Sequence, residues 1–142
     1  MNWTYLLTSL DGRIARKPYW VSILVLFIVA AIAQLIAYLI GGLLLVMLVG
    51  FATLYPSFAL NVKRGHDRNR PTWLMVVFFV LLIIVNIIQF FGLDMVNDEP
   101  TALFFVVSVP WFLFALFVFI DLGFLRGTPG PNQYGPDPLA SG

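Results

Sequence analysis

The sequence predicts an all-α membrane protein. It would have four transmembrane helices, a short N-terminal interfacial helix and both termini in the cytoplasm. Three observations lead there. Hydrophobic residues make up 61% of the chain and charged residues 11%, against roughly 45–50% and 25% in soluble domains. With a mean hydropathy of +0.94, too few charges exist to coat an apolar core in water. Long stretches carry no charge at all, and every Lys and Arg falls on one side of the bundle those stretches imply.

The elements follow in order. In "MNWTYLLTSL", Trp3, Leu6, Leu7 and Leu10 have the spacing of one helical face, which reads as a short interfacial helix ended by Asp11-Gly12. Tyr19 to Leu60 is uncharged. As a single helix it would be roughly 63 Å long, about twice the hydrocarbon thickness. Gly41-Gly42 divides it, so helices are expected over 19–40 and 43–64, followed by 73–91 and 101–122. Each is near the ~20 apolar residues that a span requires. A signal peptide cleaved after Ala31–Ala33 is disfavoured, because the apolar run continues beyond it. The domain boundary is placed at residue 126, with 127–142 a Pro/Gly-rich cytoplasmic tail.

Four spans put Arg13, Arg16, Lys17, Lys63, Arg64, Arg68, Arg70 and Arg126 together. The opposite side holds Gly41-Gly42 and the "LDMVNDEP" loop, with Asp94, Asp98 and Glu99. The positive-inside rule makes the basic side cytoplasmic. Trp20, Trp73 and Tyr19 fall near the cytoplasmic ends of spans, where aromatic belts form.

Within the bundle, Ala33, Ala37 and Gly41 form a small-residue stripe suited to close packing on the second helix, with homodimerisation through it as the alternative. Gln34, Asn86 and Gln89 are the candidate intramembrane polar residues. Their commonest use is interhelical hydrogen bonding; lining a solute path is the alternative. Pro110 is expected to kink the fourth helix by removing one backbone bond. Asp121 lies at the negative end of that helix and calls for a cation from the same side.

The polar island "VKRGHDRNRP" reads first as structure. Lys63 and Arg64 suit a helix end, with Gly65 as its left-handed stop. Asn69 is expected to cap the third helix, with Pro71 in its first turn. His66-Asp67 then remains, a candidate acid–base pair. One His and no Cys make poor material for a metal site, and no nucleophile-elbow, Walker or zinc-protease motif occurs. No catalytic residue, metal or cofactor is predicted. The net charge of +1 argues against nucleic acid as a partner. The tail cannot continue a helix, and Asn132 and Asp137 are candidates to bond back to the island.

Three segments together carry a resemblance: "LDGRIARKPYW" (Leu10–Trp20), "PSFALNVKRGHDRNRPTW" (Pro56–Trp73) and "GTPGPNQYGPDP" (Gly127–Pro138). In this order, separated by apolar spans, they resemble the domain of unknown function 805 family of small bacterial inner-membrane proteins. The family commonly has leucine where this chain has Gly65, and a glycine-serine-glycine type of turn in place of its "NRP". The resemblance implies a bacterial inner-membrane location and supplies no substrate. All three segments fall on the predicted cytoplasmic face. They are expected to form one cap with Arg13, Arg16, Arg64, His66, Asp67, Asn132 and Asp137 in mutual contact and Asp121 nearby. The function expected is that of a non-catalytic membrane protein whose cap binds anionic lipid head groups or a protein partner. The alternative is a small oligomeric transporter or channel.

Overall fold

The computed structural model describes residues 1–97 and 99–140; Asp98, counted above with the acidic loop, lies outside the described residues. The chain divides into two compact units. One comprises Met1–Arg70 with the tail from Arg126 onward, the other Pro71–Leu125.

The first unit opens with α1, Trp3–Thr8, capped where Asn2 Oδ1 accepts from Tyr5 N at 3.0 Å. α2 spans Arg16–Asp67, 52 residues, broken at Gly42 (φ 61°, ψ −155°). That backbone region is essentially closed to residues with a Cβ, so glycine is what permits the reversal. Helix-end contacts prove the chain folds back there. Tyr19 Oη donates to Asn61 Oδ1 at 3.1 Å, two groups that a straight helix would hold roughly 60 Å apart. Ile14 N donates to Lys63 O at 3.4 Å, and Tyr55 Oη to Thr8 O at 2.7 Å. In the amide orientation that satisfies both groups, Gln34 donates to Val46 O at 3.2 Å and accepts from Gly50 N at 3.3 Å. Gln34 therefore ties the two arms of α2 together.

The end of α2 departs from the sequence expectation. The helix runs through Gly65 and stops at Asp67; the left-handed residue is Asn69, at φ 57°. Arg70 N donates to Gly65 O at 2.8 Å and Asn69 N to His66 O at 3.0 Å. Those are the two bonds of a Schellman ending, with asparagine in the position glycine usually takes. Asn69 thus closes α2 rather than capping the next helix, whose N-cap is Pro71.

In the second unit, α3 (Thr72–Phe90) and α4 (Ala102–Gly123) are joined by a loop containing two very short antiparallel strands, β1 (Met95–Val96) and β2 (Glu99–Pro100). The expected all-α chain therefore carries one small ladder. Thr101 caps α4, its side chain accepting from Phe104 N at 3.3 Å. Phe78 of α3 packs against Trp111 and Phe114 of α4, ring centroids 6.2 and 5.7 Å away. Pro110 lies inside α4.

α2, α3 and α4 are all long and apolar enough to cross a membrane. Their exposure is inverted relative to a water-soluble fold. Phe27 and Val106 are each 69% exposed, while Lys63 and Arg64 are 0% exposed. Apolar side chains face outward along the helices, and the charged groups gather inside at one end of α2.

Candidate functional site

The buried charges centre on Asp67, in the last residue of α2. Arg13 comes to it from the segment between α1 and α2. Its Nε and Nη2 donate to Asp67 Oδ1 at 3.2 and 3.0 Å. Arg64, one turn earlier on α2, pairs with Oδ2. The Asp67 backbone oxygen accepts from Thr128 N at 2.8 Å and Thr128 Oγ1 at 3.1 Å. One carboxylate between two guanidinium groups is buried at the cost of desolvation, which only close pairing and complete hydrogen bonding offset.

Arg13 supplies that completeness and reaches the tail. Its Nη1 donates to Gly130 O at 2.7 Å and Gly135 O at 3.3 Å, and its Nη2 to Thr128 O at 2.7 Å. All three guanidinium nitrogens are engaged, in a planar fork that lysine does not offer. Gly127 lets the tail enter. A Cβ there would stand 2.6 Å from Asp67 Cγ.

His66 has a different role from the acid–base partner of Asp67. Its Nδ1 lies 3.1 Å from Gly12 O; because a carbonyl only accepts, Nδ1 carries the proton. Its ring stacks on Tyr134, centroids 3.8 Å apart and planes 3° from parallel. Its backbone oxygen accepts from Asn132 Nδ2 at 2.9 Å. Asn132 also forms a tight bridge with Gly135, N to O at 3.0 Å in both directions. Asp137 stays within the tail. It accepts from Gly130 N at 3.0 Å and Leu139 N at 2.9 Å, and these bonds, first Leu139 and then Gly130, hold its carboxyl below the usual range.

Of the residues expected in the cap, Arg13, Arg64, His66, Asp67 and Asn132 thus form one bonded cluster. Arg16 begins α2 and is exposed. Asp121 is buried near the end of α4 in the second unit. Asn86 Nδ2 bonds Leu82 O at 2.8 Å, on its own helix, and Gln89 lines a groove on the α3–α4 hairpin.

Sequence reasoning gives Lys63 to topology, to a helix ending and to the cations that could meet Asp121 or an anion, and not to α1. The structure buries it and directs its Nζ to the carbonyls of Tyr5 (2.9 Å), Leu6 (2.8 Å) and Ser9. Three donors meet three acceptors at the negative end of α1. Lys63 also stands 5.1 Å from the Tyr5 ring centre. No side-chain signal marks such a cradle in sequence, because its acceptors are backbone. A cavity of about 390 Å³ opens beside the cap, lined by Tyr5, Gly12, Arg13, Pro136, Asp137 and Pro138.

The segments that build this cluster lie within residues 7–136, which match a family described as "Protein of unknown function (DUF805)". The chain belongs to this family. Among its relatives, the inner membrane protein YhaI of Escherichia coli is 32% identical over 131 residues, covering 90% of this chain and 84% of YhaI. Inner membrane protein YhaH of the same organism is 27% identical over 133 residues, covering 89% and 84%. The uncharacterized protein YiiR is 34% identical over 144 aligned positions, covering 92% and 86%. No solved structure matches the chain significantly. Family and helix composition together make this a membrane protein.

Proposed function

We propose that this is a four-span inner-membrane protein, both termini cytoplasmic, whose cap is a non-catalytic module docking on anionic lipid head groups. One observation carries the topology: Arg13 bonds both Asp67 and the tail carbonyls. Those segments must share a side of the membrane. The chain between Arg13 and Asp67, and between Asp67 and Thr128, then crosses an even number of times. The α2 hairpin and the α3–α4 pair supply two crossings each in this reading, and the excess of basic residues makes the shared side cytoplasmic.

The cap's bonding argues for its non-catalytic role. Asp67 is held by two arginines and His66 by Gly12 and Tyr134, contacts that give both residues a structural task in holding the cap together. Arg13, Lys63 and Arg64 serve the cap internally. Arg16, Lys17 and Arg126 are exposed, as are Trp3 and Trp20 at 41% and 37%. Basic groups at a negative leaflet gain about 1 kcal/mol each. The transporter alternative draws less support, since Gln34 bridges the α2 arms and Asn86 bonds its own helix.

Native mass spectrometry from mild detergent tests the docking. Phosphatidylglycerol should be retained over phosphatidylcholine, and Arg16→Gln/Lys17→Gln/Arg126→Gln should abolish the preference. A wild-type protein without lipid preference would overturn it.

A further inference from the structure

We propose that α1 is seated in the lipid leaflet beside the cap, with acyl chains against its outer face. This seat rests on the four-span reading of α2 and not on the docking of anionic lipid. α1 carries no charged residue and packs on α2. Leu6 is buried, whereas Met1 and Trp3 are exposed. Two side chains of the second arm of α2 set the level of the helix. Lys63 Nζ donates to the carbonyls of Tyr5, Leu6 and Ser9, and Tyr55 Oη to that of Thr8. Tyr55 precedes Lys63 by eight residues, roughly 12 Å along the helix and away from the cap. Side chains lean toward the N-terminus of their helix, so Lys63 reaches back along the arm. The C-terminal end of α1 therefore lies beside the span itself.

The bonding there is what a place without water requires. The last carbonyls of a helix have no partner within it, and at a wet surface water serves them. Here Thr4 O accepts from Thr8 Oγ1 at 2.7 Å, Thr8 O from Tyr55, and three more from Lys63. Burying a lysine to serve neutral carbonyls is costly, and water would make it unnecessary. The arm of α2 indicates what covers the outer face. Leu48, Phe51 and Tyr55 recur at the spacing of one helical face, each more than half exposed. Within a span, such an apolar stripe faces hydrocarbon. Tyr55 belongs to that stripe and bonds α1, so α1 continues it toward the membrane surface. Trp3 brings the amphipathic ring that favours the head-group level. The seat is also tied to the cap: Tyr5 Oη donates to Asp11 O at 3.0 Å, beside the Gly12 carbonyl that His66 meets. A helix anchored in the leaflet thus holds the cap against it.

Trp20→Phe/Trp73→Phe/Trp111→Phe leaves Trp3 as the sole indole. The full chain is reconstituted in phosphatidylcholine vesicles, where anionic head groups have no part in the result. Lipids brominated on their acyl chains should quench Trp3 fluorescence, and aqueous iodide should not. Gln133→Trp, placed in the exposed tail with Trp3→Phe in the same background, gives the reference for an indole in water. Iodide quenching of Trp3 equal to that reference, without quenching by brominated lipid, would overturn the seat. Quenching by neither would put protein rather than lipid against α1 and overturn it equally. Lys63→Met should raise iodide quenching of Trp3 toward the reference as the helix end loses its donor. Unchanged quenching in that variant would overturn the role of Lys63 in holding α1 at its level.

Discussion

Replacing Arg13 by methionine keeps an unbranched apolar stem and removes every guanidinium donor. The structure sets the size of the effect. Asp67 keeps Arg64 but loses the partner of Oδ1, and the carbonyls of Thr128 and Gly130 lose charge-assisted bonds of 2.7 Å each. Breaking a buried ion pair by removing one partner costs about 3–5 kcal/mol. The helices do not depend on Arg13 for their own hydrogen bonds, so the loss should appear as release of the tail rather than global unfolding. Hydrogen exchange at Thr128, Asn132 and Gly135 reads it directly, because these amides donate to Asp67 O, Gly135 O and Asn132 O. A cost of about 3 kcal/mol corresponds to roughly 150-fold faster exchange there, with α3 and α4 unchanged. Lys17→Met, on an exposed side chain, should leave tail exchange within a fewfold of wild type. Wild-type protection of the tail in Arg13→Met would refute the claim that Arg13 fastens it.

Further outcomes follow from other contacts. Lys63→Met removes the donor that Tyr5 O, Leu6 O and Ser9 O share at the end of α1 and should expose the first ten residues to protease while the α2 hairpin persists. Gly42→Ala meets no steric obstacle but forces alanine into a region reserved for glycine, costing about 1–3 kcal/mol; thermal melts in detergent should show it. The Asp137 carboxyl is held low, so its contribution is present above the unfolded value near pH 4 and disappears as pH falls through the lower folded value. Tail protection factors, corrected for the intrinsic slowing of exchange in acid, should therefore fall only at low pH, and Asp137→Asn should remove that pH dependence.

The apolar runs and the Gly41-Gly42 break were legible because lipid imposes length and composition on any helix that crosses it. The helix ending at residues 63–65 was misread because Gly65 satisfies the local rule for a stop. Asn69 can adopt the same left-handed backbone and, followed by Pro71, closes the helix one turn later. Asp137 was assigned to the basic island, yet Asp137-Pro138-Leu139 can form an Asx turn on itself, and that local bond prevails. Arg13 and Asp67 were readable as charges in need of partners on one face. Tyr134 stacking on His66 and the carbonyl cradle of Lys63 were not, since neither ring packing nor a set of backbone acceptors leaves a periodic trace.

The most direct test of the proposed architecture is labelling of single cysteines by a membrane-impermeant maleimide, in right-side-out and inverted vesicles. Val96→Cys and Gln133→Cys sit at exposed positions in the α3–α4 loop and the tail. Four spans with a cytoplasmic cap predict labelling of Val96→Cys only from outside and of Gln133→Cys only from the cytoplasmic side. Labelling of both from the same side would contradict it.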